Sequence, residues 1–268
     1  MIKIIFSDMD GTLMTSANKL PEGFAETIAE LKKRGVIFAP SSGRQYFSLL
    51  KTFADYKDDF IFLSDNGTLV MQGDKEIFSQ PMNLDDVNEI LEVTKPLKNI
   101  LTVFCGKKNG YLLEEQNIPE LITSLKIYYE RSIAVNNWAE VDDTPIKVSF
   151  YDPTGNADKN IYPTVFEKFG DKLQVVLASG EWVDITAPHA SKGRAVENIQ
   201  RILNITPDEC AAFGDYMNDF DMLNAVGYSF AMANAYPEIK RVAKFETASN
   251  DDFGVIVGIK KLMAEGLI

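Results

Sequence analysis

Five short apolar segments, each ending in a cluster of small and polar residues, constrain this chain more than any other feature. They occupy residues 2–6, 36–39, 60–63, 211–213 and 228–232. They show little alternation, which is typical of strands buried on both faces. Helical patterns separate them, notably at residues 21–34 and 192–203. Strands that alternate with helices predict an α/β fold with a Rossmann-like, doubly wound parallel sheet.

Polar clusters follow these strands, at the point where each one ends. They are Asp8-Met9-Asp10-Gly11-Thr12, Ser41-Ser42-Gly43-Arg44, Ser64-Asp65-Asn66-Gly67, Gly214-Asp215-Tyr216-Met217-Asn218-Asp219 and Ala233-Asn234-Ala235. The carboxyl ends of parallel strands meet at one edge of a sheet, and ligands bind outside that edge. We therefore expect the five clusters to line one cleft.

The middle of the chain has a different pattern. Strand candidates lie at residues 100–104, 111–113, 146–151, 173–177 and 182–185, and helix candidates at 84–94, 118–128 and 161–169. The ends of these strands lack the repeated Asp, Asn and Gly clusters. We interpret residues 1–81 and 187–268 as the catalytic core, and residues 82–186 as an inserted α+β cap domain over the cleft. This cap would determine substrate specificity.

Composition narrows the range of partners. The chain has 27 Lys and Arg against 39 Asp and Glu, a net charge of −12. Such a surface repels a nucleic-acid backbone, so we expect no nucleic-acid partner and a small phosphorylated metabolite held at a local site. Two cysteines, no secretion signal and no apolar run of about 20 residues predict a soluble, cytoplasmic protein with no membrane partner. The oligomeric state stays open.

The residue types at the strand ends suggest phosphate chemistry at a metal. Asp8 and Asp10 bring two like charges together, which is costly unless a cation lies between them or one is protonated. Asp215 is the natural third acidic group, and oxygen ligands without a Cys or His cluster favour Mg²⁺ over Zn²⁺. Ser42, Lys192 and Asn218 carry donors that suit phosphoryl oxygens. A carboxylate in such a site can act as a nucleophile, while a second one transfers protons.

Four motifs in this order, with a long insert after the second, resemble the haloacid dehalogenase-like superfamily. They are Asp8-Met9-Asp10-Gly11-Thr12, Ser42-Gly43-Arg44, Lys192-Gly193 and Gly214-Asp215-Tyr216-Met217-Asn218-Asp219. The insert, Asp65-Asn66-Gly67 and Met232-Ala233-Asn234-Ala235 are similar to the Cof-type sugar-phosphatase branch.

This resemblance implies a role for each matching residue. Asp8 would be the nucleophile and Asp10 the general acid and base. Mg²⁺ would be held by Asp8, the backbone carbonyl of Asp10 and Asp215, with Asp219 supporting the metal site. Phosphate would contact the backbone at Met9 and Gly43 and the side chains of Ser42, Lys192 and Asn218.

The expected activity is a Mg²⁺-dependent phosphatase for small phosphate monoesters, sugar phosphates first. Two alternatives remain: a phosphomutase that returns the phosphoryl group to a sugar, and a non-catalytic sensor of phosphorylated metabolites. A calcium loop at Asp8 is excluded because Ala17 stands where the pattern needs Glu. We assign His189 to a surface loop, and Arg44 to a structural or supporting role.

Overall fold

The computed structural model describes residues 1–116, 122 and 125–268. The strands of this part are β1 (Ile4–Asp8), β2 (Ile37–Ser41), β3 (Phe62–Ser64), β4 (Leu69–Gln72), β5 (Lys75–Ser79), β6 (Leu101–Gly106), β7 (Gly110–Leu113), β8 (Ser132–Val135), β9 (Pro145–Tyr151), β10 (Gln174–Leu177), β11 (Trp182–Thr186), β12 (Cys210–Gly214), β13 (Tyr228–Ala231) and β14 (Phe245–Glu246). The helices are α1 (Phe24–Lys33), α2 (Tyr46–Thr52), α3 (Leu84–Thr94), α4 (Ala157–Asn160), α5 (Tyr162–Phe169), α6 (Lys192–Leu203), α7 (Phe220–Asn224), α8 (Pro237–Val242) and α9 (Gly254–Ala264).

A first sheet of eight strands has the order β14-β13-β12-β1-β2-β3-β4-β5. Its strands from β14 to β3 are parallel, as the sequence predicts for a doubly wound α/β fold. The hairpin β4–β5 is antiparallel and was not predicted. The Gly73-Asp74 dipeptide between β4 and β5 is the sequence signal that indicates this turn. Gly73 adopts a φ of +56°, a conformation that glycine takes at little cost.

Strand β1 lies at the centre of this sheet and sets the position of the polar clusters. All five of its residues are buried, and it pairs with β12 on one side and β2 on the other. In the second pairing Asp8 lies opposite Ser41, so both strands end at the same level. The strand begins and ends two residues later than the apolar run at residues 2–6, which puts Asp8 at its last position.

A second sheet of six strands has the order β10-β11-β9-β6-β7-β8 and is antiparallel except where β7 pairs with β8. The chain leaves the first sheet after β5 and returns to it at β12. We retain 1–81 with 187–268 as the proposed core and 82–186 as the proposed cap. The sequence missed β8, and the helix expected at residues 118–128 falls mostly outside the described residues.

Buried apolar side chains form two clusters, and the larger one joins the first sheet to residues of β6, β9 and β11. Aromatic side chains brace the first sheet near β2 and β3, where the rings of Tyr56 and Phe60 stack with centroids 4.8 Å apart. In the second sheet, Val148, Phe150 and Ile185 belong to a separate buried cluster. Cys105 and Cys210 are free and buried. Within the described residues, no helix is both long and apolar enough to cross a bilayer.

Candidate active site

One cavity of about 180 Å³ lies between the two sheets at the carboxyl ends of the parallel strands. Its lining includes six of the residues that the sequence singled out, which are Asp8, Asp10, Ser42, Gly43, Asp215 and Asn218. Met9, between Asp8 and Asp10, is fully buried and is not among the lining residues. The first sheet therefore brings these separated motifs to one place.

Three carboxylates form a cluster at the base of this cavity. Asp8, Asp215 and Asp219 each offer an oxygen atom, and these atoms lie within 4.8 Å of one another. Burial and the charge of Asp219 raise the pKa of Asp8 well above its usual value. Burial, again with Asp219, raises the pKa of Asp215 to about 7. A hard divalent cation would offset this repulsion, so the donor set fits Mg²⁺.

Lys192 is a fully buried ammonium at the start of α6, where the side chain of Ser191 caps the helix. Its Nζ lies 2.5 Å from Asp8 Oδ1 and 2.6 Å from Asp219 Oδ1. Burial opposes its charge, but Asp219 and Asp8 outweigh burial and raise the pKa of Lys192 above its usual value. The sequence assigned Lys192 to phosphate; here it balances two of the clustered carboxylates.

Asp219 holds the loop that carries Asp215. Its Oδ2 accepts hydrogen bonds from the backbone N–H groups of Asp215 and Tyr216, at 3.0 and 3.2 Å. The hydroxyl of Thr12 donates to Asp215 Oδ1 at 2.6 Å. Gly11 lies against the same carboxylate, and a Cβ there would overlap it. The orientation of Asp215 is therefore fixed from two loops.

Asp10 stands at the mouth of the cavity with 46% of its side chain exposed, and it is paired with the buried guanidinium of Arg44. Arg44 Nε donates to Asp10 Oδ2 at 2.9 Å, and Nη2 donates to Oδ1. Nη2 also donates to Asn18 Oδ1 at 3.2 Å. Arg44 and Asp10 therefore form a bidentate pair, which fixes the orientation of the carboxylate. This contact is consistent with the supporting role expected for Arg44.

The Ser42-Gly43 loop is held from both sheets. Ser42 Oγ accepts from the N–H of Arg44 at 3.1 Å. From β9, Lys147 Nζ donates to the carbonyl of Gly43 at 2.7 Å. Lys147 also pairs with Asp65 at 3.0 Å and with Asp184 at 3.6 Å. Sequence reasoning did not place Lys147 at the cleft, although a lysine between Ile146 and Val148 of β9 was a signal that it needs partners.

Aromatic side chains form the opposite wall. The ring centroids of Tyr128 and Trp182 are 5.2 Å apart, and both residues line the cavity. Burial, with the charge of Asp10, raises the pKa of Tyr128 to about 12, so its hydroxyl stays neutral near pH 7. Phe104 and Tyr111, two other aromatic residues of the second sheet, pack in the second apolar cluster and do not line this cavity.

Residues 128–131 dock on the start of α2, and we call this contact the α2 clamp. The backbone N–H of Gln45 donates to Tyr128 O at 2.9 Å, and the Gln45 side chain bonds both the N–H and the carbonyl of Arg131, at 3.0 and 3.1 Å. Ser48 Oγ donates to Tyr128 O at 2.8 Å and accepts from Glu130 N at 2.9 Å. The clamp fixes Tyr128 beside the loop that carries Arg44.

His189 is exposed in the turn before α6 and does not line the cavity, in agreement with its assignment to a surface loop.

Comparisons with known proteins match the chain along almost its whole length. A family model described as haloacid dehalogenase-like hydrolase matches residues 5–259. The 5-amino-6-(5-phospho-D-ribitylamino)uracil phosphatase YbjI of Escherichia coli strain K12 is 29% identical, over 98% of this chain and 96% of that protein.

Solved structures also match the chain along almost its whole length. SMU.1108c from Streptococcus mutans UA159 has a TM-score of 0.89 at 25% identity, covering 98% of this chain and 100% of its own. BT4131, described as a subclass IIB sugar phosphatase, has a TM-score of 0.79 at 20% identity, and the match covers 99% of this chain and 100% of that one. At this identity the match shows a shared fold alone. Together the matches support phosphatase activity on small phosphorylated substrates. The chain belongs to the haloacid dehalogenase-like hydrolase family, in its Cof-type branch.

Proposed function

We propose that this protein is a Mg²⁺-dependent phosphatase that hydrolyses small phosphate monoesters, sugar phosphates first, through an aspartyl-phosphate on Asp8. One observation carries the proposal: the Asp8 carboxylate ends the central strand inside a cavity, with an ammonium at 2.5 Å and two further carboxylates beside it. Proposed phosphate contacts are the backbone at Met9 and Gly43 and the side chains of Ser42, Lys192 and Asn218.

The proposed Mg²⁺ ligands are Asp8, the backbone carbonyl of Asp10, and Asp215, supported by Asp219. Both oxygens of Asp219 already accept hydrogen bonds, from Lys192 and from the loop backbone, which suits a supporting role. When bound, Mg²⁺ would offset the clustered negative charge and polarise the phosphoryl group.

The reaction divides into two displacements. Asp8 attacks phosphorus, the bond to the leaving oxygen breaks, and Asp10 gives that oxygen a proton. Water then attacks the aspartyl-phosphate, Asp10 takes its proton, and phosphate leaves. Lys192 stabilises the carboxylate form of Asp8 that the first step requires, and Arg44 orients Asp10 toward the cavity mouth.

The wall opposite Asp8 favours a leaving group with an apolar or planar face beside hydroxyl groups. Tyr128 and Trp182 offer aromatic surface, and the half-buried Ser179 adds a hydroxyl group to the same lining. A phosphorylated polyol that carries a ring, as in the name of the E. coli relative, therefore belongs on the substrate panel with the sugar phosphates.

The decisive experiment measures free-phosphate release with and without Mg²⁺ over sugar, polyol, nucleotide and cofactor phosphates. Metal-dependent release that is lost in Asp8→Asn supports the proposal. An isomerised sugar phosphate in place of free phosphate would indicate the phosphomutase. Saturable binding without turnover of any substrate would favour the sensor and overturn the phosphatase.

A further inference from the structure

A buried polar network joins the second sheet to the proposed phosphate site, and we call it the bridge. From Asn218, Nδ2 donates to Asn66 Oδ1 at 3.2 Å, and Asn66 Nδ2 donates to Asp184 Oδ2 at 2.7 Å. Asp184 pairs with Lys147 at 3.6 Å, and Lys147 donates to the carbonyl of Gly43 at 2.7 Å. The bridge therefore runs between two separate phosphate contacts, Asn218 and the Gly43 loop, through side chains of β9 and β11.

Stability alone does not account for this arrangement. The side chains of Lys147 and Asp65 are 1% exposed and that of Asp184 is 4% exposed. Ion pairs this deeply buried are often no more stabilising than apolar residues of similar size, because removing the charges from water is costly. Lys147 and Asp184 each lie between two apolar residues of their strands, β9 and β11. A role in positioning other groups explains these charged residues better than a contribution to stability does.

The backbone beside the bridge is held in an unusual conformation. Asp65, Asn66 and Gly67 have φ values of +51°, +57° and +87°, all in the left-handed region. A Cβ on Gly67 would lie 2.8 Å from Ala195 Cβ and from the carbonyl of Ser191 at the start of α6. Such strain persists only where the surroundings fix it, and here it directs Asp65 toward Lys147 and Asn66 toward Asp184.

We propose that Lys147 and Asp184 are positioning residues for phosphate binding. Lys147 fixes the Gly43 peptide, and Asp184 orients Asn66, which in turn orients the Asn218 amide. The inference rests on the proposed function, since it takes Gly43 and Asn218 as phosphate contacts. It gives the second sheet a part in holding the transferred group, in addition to the leaving group.

The test compares three variants of the 268-residue chain. Lys147→Met removes the donor and the charge. Lys147→Met with Asp65→Asn removes one charge of each sign, so the net charge of the group formed by Lys147, Asp65 and Asp184 stays the same and folding is less affected. Val148→Ala is the matched control, because Val148 is the next residue of β9, fully buried in the second apolar cluster and outside the bridge.

Four quantities are measured for each variant and for the wild type: kcat and KM on the best substrate, the affinity for inorganic phosphate with Mg²⁺ by calorimetry, and Tm. In both Lys147 variants we expect phosphate affinity to fall on the order of tenfold. We expect kcat/KM to fall about 10- to 100-fold, because the phosphate contacts are misplaced. Val148→Ala should lower Tm while phosphate affinity and KM stay at wild-type values.

Wild-type phosphate affinity and kcat/KM in the double variant would overturn the inference. So would an equal loss of phosphate affinity in Val148→Ala, since the effect would then follow from general destabilisation. If the wild type releases no phosphate from any substrate, the proposed function fails, and the calorimetric comparison still tests the bridge by itself.

Discussion

The two sides of the cleft are built differently. On the first-sheet side, Asp8, Ser42 and Asp215 stand at or directly after the ends of parallel strands, so chain order alone brings them together. On the second-sheet side, Lys147, Trp182 and Asp184 lie within β9 and β11, on the face turned toward the cavity. Residues of the proposed catalytic site can thus be located from strand ends, whereas the residues of the opposite wall depend on which face of a strand points inward.

The largest effect is expected from a substitution on the first-sheet side of the cleft. Asp8→Asn removes the proposed nucleophile and should lower kcat by about 10⁴-fold or more. The fold should persist, because Asp8 is one of three crowded carboxylates whose repulsion the change relieves. Phosphate release and thermal unfolding are measured together. Near wild-type turnover in a folded variant would contradict the mechanism.

Asp10→Asn should have the next largest effect. Loss of a general acid lowers the rate by about 10²- to 10⁴-fold, and the loss should be greatest for alkyl phosphates, whose leaving oxygen needs a proton most. The measurement compares kcat for alkyl and aryl phosphates. Asn18→Ala is the control, since Asn18 also accepts from Arg44 but has no ionisable proton to transfer. Equal losses for both substrate types would remove the acid role from Asp10.

A smaller effect is expected on the second-sheet side. Trp182→Phe reshapes the aromatic wall and should change the ratio of kcat/KM between two substrates by about tenfold, with little change in kcat for the smallest one. Phe104→Leu is the control, because Phe104 is buried in the same sheet but packs away from the cavity. A substrate ranking that moves equally in both variants would mean that the wall does not select.

The smallest expected effect is a pH-dependent change in Tm. The raised pKa of Asp215, about 7, means that the folded metal-free protein holds a proton which the unfolded chain releases near pH 4. Its stability should therefore fall as pH rises between about 4 and 7. Mg²⁺ relieves that repulsion, so it should raise Tm more at pH 8 than at pH 5. An equal shift at both values would place the ion elsewhere.

Sequence reasoning recovered the parallel sheet and the family, because short apolar runs and their polar ends are local signals. α3 and α6 lie where the pattern predicted them, whereas the hairpin β4–β5 was missed because its dipeptide turn was overlooked. The pairing of Asp10 with Arg44 depends on the adjacency of β1 and β2. The contact of Lys147 with Gly43 joins residues of different sheets, and no local pattern gives their relative placement. The roles of the predicted site residues stay predictions until the variants are measured.

The α2 clamp has a consequence for how a substrate enters. Swinging the second sheet away from the first at this point would break five hydrogen bonds between residues 128–131 and the start of α2. The same movement would pull on the loop that precedes α2 and carries Arg44. We therefore expect a substrate to enter through the cavity mouth beside Asp10. The width of this mouth would exclude bulky molecules from the proposed phosphate site.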